Sequence, residues 1–208
     1  TPWAGIDPIM ATAELIESLN TIVSRRINII NNPAVISVGI VKAGTRNNII
    51  PEDAEIMGTI RTFDPELRKE IYSEIEQVAK GVALGTGTDI TVEFDVGGFY
   101  PVTFNQPDLV EAMKGSLIKA SPGRFYESNI PVTGAEDFSY FSQEIPGMYF
   151  WLGINKPGEG EESSNFGERT DVAGNHSPYF YVDDSALDEG VRAFIHLVND
   201  YPNKINSL

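Results

Sequence analysis

The chain alternates between stretches with apolar residues at helical spacing and stretches where they recur at every second position. After Asp7-Pro8, the residues Ile9, Ala13, Ile16, Val23 and Ile27 recur at roughly helical spacing. An Asp followed by Pro offers a side-chain acceptor to the first free N–H groups and a fixed φ to the first turn. A helix therefore starts there, and it ends before Asn31-Asn32-Pro33. Ala34–Val41, rich in Val and Ile, predicts a strand. After a turn over residues 43–48, Ala54, Ile56, Gly58 and Ile60 alternate with Glu55, Met57, Thr59 and Arg61. Period two predicts a strand with one covered face. Asp64-Pro65 repeats the helix-start device. Leu67, Ile71, Ile75, Val78 and Val82 form the stripe of that helix, and Gly81, Gly85 and Gly87 stop it. Ile90, Val92, Phe94 and Val96 then alternate with Thr91, Glu93 and Asp95 as a third strand.

This α-β-β-α-β order is one strand short of the split β-α-β-β-α-β sandwich. Three strands would leave a long edge unpaired. The expectation is a ferredoxin-like α+β domain over residues 1–100, an antiparallel sheet with two helices, whose first strand is missing from before Thr1. Gly97-Gly98-Phe99-Tyr100-Pro101 reads as a boundary, with a second domain over residues 101–208. There, Asn105 and Pro107 open a helix with Leu109, Val110, Met113 and Leu117 inside. Phe125–Val132 and Met148–Gly153 predict short buried strands. Asn155–Asn175 is a long polar, Gly-rich stretch, of the kind that is functional or mobile. Asp183-Asp184-Ser185 caps a final helix carrying Leu187, Val191, Phe194, Ile195 and Val198.

Composition narrows the chemistry. With 208 residues, 41% hydrophobic and 22% charged, the chain is globular. A net charge of −15 argues against nucleic acid, which needs clustered Lys and Arg. No apolar run approaches a membrane span. The absence of cysteine excludes disulfides, thiol nucleophiles and cysteine-based zinc sites, and leaves the compartment open. Two histidines, His176 and His196, are too few for a complete histidine-rich metal centre.

His176 lies in Gly174-Asn175-His176-Ser177-Pro178, where Pro178 limits the backbone. It suits metal ligation or acid–base work, or is a surface histidine in a turn. His196 reads as a structural or solvent-facing helix residue. In Thr133-Gly134-Ala135-Glu136-Asp137, Glu136 and Asp137 have the chemistry of ligands or bases. Thr133 and Glu136 also fit a capping box, the favoured reading, with Gly134 leaving backbone N–H groups open to a substrate. Asn48 and Arg61 would suit a carboxylate or a developing oxyanion if they converged. Taken singly, they read as a turn residue and an outward strand charge.

Four segments together, PWAGIDPI, NNIIPEDAEIMGTIRT, TGAEDFSYF and NHSPYFYVDD, resemble the M20 family of metallopeptidases and amidohydrolases, in the branch that cleaves N-acyl amino acids. The resemblance covers nearly all of this chain and about the second half of a typical member. It implies an α/β catalytic domain with two divalent metal ions, zinc or manganese. An inserted lid domain would mediate homodimerisation. Residues 1–100 would be most of the lid, and residues 101–208 the C-terminal part of the catalytic domain. His176 would be a metal ligand. Asn48 and Arg61 would meet the substrate carboxylate or oxyanion, in the family across to the partner's site. Gly134 would line the substrate pocket. The general base and the remaining ligands would lie outside these residues, so the isolated chain is expected to bind no zinc tightly and to hydrolyse no amide. The rival readings are a non-catalytic dimerisation or interaction module, and a small-molecule binding protein on the same fold.

Overall fold

The computed structural model describes residues 1–30, 32–128, 130–154 and 173–205. Most of the polar stretch 155–175 thus lies outside the described residues. The chain divides into two compact units, Thr1–Val102 and Thr103–Leu208. No helix among the described residues is long and apolar enough to cross a membrane.

In the first unit the two Asp-Pro signals act as caps. α1 runs over Pro8–Thr21, and Asp7 accepts the N–H of Ile9 at 2.9 Å. α2 runs over Pro65–Thr86, and one carboxylate oxygen of Asp64 accepts the N–H groups of Glu66 at 2.8 Å and Leu67 at 3.2 Å. α2 passes through Gly81 and Gly85. It stops only at Gly87, whose φ of 73° is left-handed backbone that glycine adopts without a Cβ penalty. The stripe of α2 is buried as expected at Leu67, Ile71, Val78 and Val82.

The face of α1 differs from the expected one. Ala11, Leu19 and Ile22 are buried with Leu15 packed beside them, whereas Ile9 is exposed. α1 carries two apolar stripes of nearly equal length, and only packing against α2 and the strands selects between them. A wider helical turn over Ile22–Arg26 follows, closed by Ile27 N–H bonding back to Ile22 C=O at 3.1 Å. Ile22 and Ile71 are fully buried, each worth about 1.5–3 kcal/mol of apolar transfer.

β1 (Ala34–Ala43) and β2 (Ala54–Thr62) form one antiparallel ladder, with Val38 opposite Gly58 and Ile40 opposite Met57. Gly39 is the extra residue of a bulge. Any side chain on Gly58 would place its Cβ 2.3 Å from the Ser37 carbonyl oxygen, so the close approach requires glycine.

The third strand expected over Ile90–Val96 does not pair among the described residues. The segment still buries every second residue: Ile90, Val92 and Phe94 are half-buried while Thr91, Glu93 and Asp95 are exposed. Ile90 packs on the core, Phe94 stacks on Tyr72 of α2 at 4.0 Å, and the Tyr72 hydroxyl donates to Asp95 at 2.6 Å. The alternation therefore reports which face is covered, while a strand also needs a neighbour for its N–H and C=O groups. The observed architecture is α+β, a two-stranded antiparallel sheet with helices.

The second unit contains α3 (Pro107–Ala120), α4 (Phe138–Glu144) and α5 (Leu187–Ile205). The strands expected at Phe125–Val132 and Met148–Gly153 form no ladder among the described residues, for the same want of a partner. Asn105 does not cap α3. Instead it grips the backbone of Tyr149 from both sides, donating to its C=O at 2.9 Å and accepting from its N–H at 2.6 Å. Asp183 caps a short 3-10 turn, Asp184–Ala186, that leads into α5.

α3 and α5 meet through polar groups. Asp200 accepts from Ser116 at 2.7 Å and from Lys119 at 3.0 Å, and Lys204 donates to the Ala112 carbonyl at 2.6 Å. Glu189 takes the Ser121 hydroxyl at 2.8 Å and pairs with Arg124. The apolar stripe of α5 points the other way, leaving Phe194 63% and Val198 70% exposed.

Candidate functional site

Asn48 sits in the connection between β1 and β2, where Ile49 N–H closes a turn onto Arg46 C=O. The ladder ends beside it at Ala43 opposite Ala54, next to the Lys42–Glu55 ion pair of 2.9 Å. The connection leans on the start of the chain: Ile50 reaches to Gly5, and Pro51 and Ile9 both flank Gly44. Ile6 in turn lies against Gly87, the end of α2.

Arg61 lies at the opposite end, paired with Val35 and three residues before Asp64, the cap of α2. From Ala54 to Arg61 the strand advances about 23 Å at 3.3 Å per residue, and the 22 residues of α2 span the same two ends. One copy of the chain therefore keeps Asn48 and Arg61 apart. Asp64 also accepts from Asn32 at 2.7 Å, which ties the strand entry to the helix cap near Arg61.

In the second unit Gly134 is exposed, in an irregular stretch four residues before α4. The capping box expected of Thr133 and Glu136 does not form, because α4 begins later, with Asp137 at the cap position and no side-chain cap bond. The Glu136 carbonyl instead takes both the N–H and the hydroxyl of buried Ser139, at 3.1 and 2.6 Å. Its carboxylate takes the Tyr149 phenol. Burial first, and then the Glu136 charge and hydrogen bond, push the Tyr149 hydroxyl above its ordinary pKa. The Tyr149 ring is lodged between Phe138 at 5.6 Å and Trp151 at 5.5 Å. Neither Tyr149 nor Asn105 was visible as a partner from the sequence, because 44 residues separate that pair and no local pattern links them.

His176 is exposed, and its φ of 69° makes it one of two non-glycine residues with left-handed backbone among the described residues. Such a conformation costs a non-glycine residue roughly 1–2 kcal/mol. Ser177 N–H bonds to Gly174 C=O at 3.2 Å, closing a turn with His176 in its third position. His196, half-buried on α5, plays no part in this turn. Among the described residues no three His, Asp or Glu side chains gather to hold a metal ion.

Residues 14–200 match the model of peptidase family M20/M25/M40. The chain belongs to this family.

Relatives of this M20 chain carry hydrolase names. It is 34% identical over 192 residues to an N-acetyldiaminopimelate deacetylase of Leuconostoc mesenteroides, covering 92% of the chain and 45% of that protein. It is 35% identical over 204 residues to thermostable carboxypeptidase 2 of Saccharolobus solfataricus, covering 98% and 48%. Among solved structures it resembles the Bacillus subtilis YXEP protein, described as a dinuclear metal-binding peptidase of family M20. The TM-score is 0.65 at 28% identity, over 92% of this chain and 45% of that one. The M20 chain thus spans about half the length of the relatives it matches.

Proposed function

We propose that the chain is part of an amidohydrolase or peptidase that cleaves the amide bond of N-acyl amino acids or small peptides. The names of its relatives and the dinuclear neighbour support this reading. His176 would donate its imidazole to one of two divalent ions, zinc or manganese. Bound at such a site, divalent ions polarise a carbonyl and activate water. Gly134, without a Cβ, would let the substrate approach the backbone of the stretch before α4.

Asn48 and Arg61 would recognise the carboxylate end of the substrate. A guanidinium fits a carboxylate with two parallel hydrogen bonds, and an amide adds a neutral donor. The observation that carries the reading is their separation. Because one copy holds them at opposite ends of a ladder, a shared substrate would take Arg61 from one copy and Asn48 from another. Residues 1–100 then act as a lid that dimerises, and residues 101–208 as part of the catalytic domain. The alternating burial of Ile90, Val92 and Phe94 supports a ferredoxin-like lid in which one further strand lies between this segment and β2.

The test is subunit mixing in the longer protein. Asn48→Ala and Arg61→Ala homodimers should each lose most turnover of N-acyl amino acids. Mixed dimers should regain about a quarter to a half of it, because one composite site stays intact. Absence of metal-dependent amide hydrolysis would overturn the enzymatic reading, and failure of mixing to restore activity would overturn the shared site. The 208 residues alone should show neither tight metal binding nor turnover.

A further inference from the structure

Two consecutive turns surround His176, and Ser177 belongs to both. In the first, Gly174-Asn175-His176-Ser177, the Ser177 N–H donates to Gly174 C=O at 3.2 Å. In the second, Ser177-Pro178-Tyr179-Phe180, the Ser177 C=O accepts from Phe180 N–H at 3.1 Å, and the Ser177 hydroxyl accepts from Tyr179 N–H at 3.2 Å. All three polar groups of this one residue are engaged. Pro178 stands second in the second turn, where its fixed φ fits. In the first turn the negative φ at Asn175 and the positive φ at His176 are those of a type II turn, whose third position favours glycine. A histidine thus occupies a place that favours glycine, and a second turn follows it directly.

We propose that Ser177 is a positioning residue, which holds His176 in the left-handed conformation and so fixes the direction from which the imidazole is offered to a divalent cation. The inference rests on the metal-ligand reading of His176 and adds the group that aims it. Ser177 touches neither the cation nor the substrate. Its effect passes through the peptide bond it shares with His176 and through the second turn that anchors that peptide.

The chain has only two histidines, and His196 on α5 is a built-in reference. Backbone amide relaxation of the 208-residue protein gives the first readout. Ser177→Ala should lower the order parameter at His176 from about 0.85 towards 0.6 or below. Ser177→Thr, which keeps the hydroxyl, should preserve it. His196 and the thermal midpoint should stay unchanged in both variants. An unchanged order parameter in Ser177→Ala would overturn the proposal. The second readout is the midpoint of His176 variants: His176→Gly should equal or exceed wild type, and His176→Ala should fall below it. Equal midpoints for Gly and Ala would show that no left-handed backbone is being held. In the longer protein, Ser177→Ala should weaken metal binding about 10- to 100-fold, as loss of a residue that orients a ligand does. Undiminished binding there would overturn the aiming role. Full metal content in His176→Asn would instead sink the ligand reading and leave the turn result standing.

Discussion

The two units of this chain bury different things. In the first, the side chains sealed completely from solvent are Ile22 and Ile71, and the apolar faces of α1, α2 and the β1–β2 ladder close on one another. In the second they are Ser116 and Ser139. α5 turns charged and polar groups towards α3 while Leu187, Val191, Phe194 and Val198 face outward. The stripe of α5 thus stays exposed, although burying such a stripe is the main return on forming an amphipathic helix. In the first unit the apolar faces of α1, α2 and the ladder meet in one core, although Trp3, Leu84 and Val96 stay exposed, and in the second the stripe of α5 is exposed.

The largest test of that contrast is Ile71→Ala. It should cost the first unit about 2–5 kcal/mol, read as loss of amide protection in α1 and α2 with α3 and α5 unaffected. Loss of protection in both units together would mean that they fold as one. Next is Gly58→Ala. Its new Cβ would meet the Ser37 carbonyl, so the ladder must shift at a cost of about 1–3 kcal/mol, seen as a lower urea midpoint for the first unit alone.

A smaller difference should appear at the two ends of the pH scale. In the first unit the Tyr72 hydroxyl is pushed up to about 12, by burial first and then by its bond to Asp95. With an ordinary value of 10.0 in the unfolded chain, its contribution is complete below pH 10 and fades as pH rises towards 12. In the second unit the Ser116 hydroxyl first, and then Lys119, hold the Asp200 carboxyl below its ordinary 3.8. That contribution is present above 3.8 and is lost as acid protonates the group. Tyr72→Phe should therefore flatten the alkaline limb of the first unit, and Asp200→Asn the acid limb of the second. Crossed effects in a pH series followed by circular dichroism would contradict this assignment. The smallest effect on stability is expected from Phe194→Gln, within about 0.5 kcal/mol because the side chain is already exposed. Binding of an apolar dye to the second unit should nevertheless fall.

How much of this was readable beforehand depended on the range of the interaction. The starts of α1 and α2 were legible, because a cap acts within three residues of Asp7 or Asp64. The stripe of α2 was legible because it has one apolar face, and that of α1 was not because it has two. Alternation at Ile90–Val96 announced a covered face without supplying a ladder. At the candidate site the identity of His176 stood out, but its left-handed backbone did not, since nothing in the residue type asks for it. The Thr133–Glu136 pattern pointed to a cap that three-dimensional contacts override, as Tyr149 and Ser139 claim Glu136 instead.

The single extra residue at Gly39 has a further effect. Before it, the even-numbered residues Ala34, Ile36 and Val38 face the helices, and after it Val41 pairs with the inward Ile56 while Ile40 joins the outward Met57. The bulge is a phase step in the pleat, and the two halves of β1 obey opposite parity. The bulge lets β1 carry one residue more than β2 along the same ladder, so Val41, Lys42 and Ala43 still meet Ile56, Glu55 and Ala54 in phase. The extra residue is absorbed at one point, and the connection that carries Asn48 leaves the ladder in the register that β2 sets.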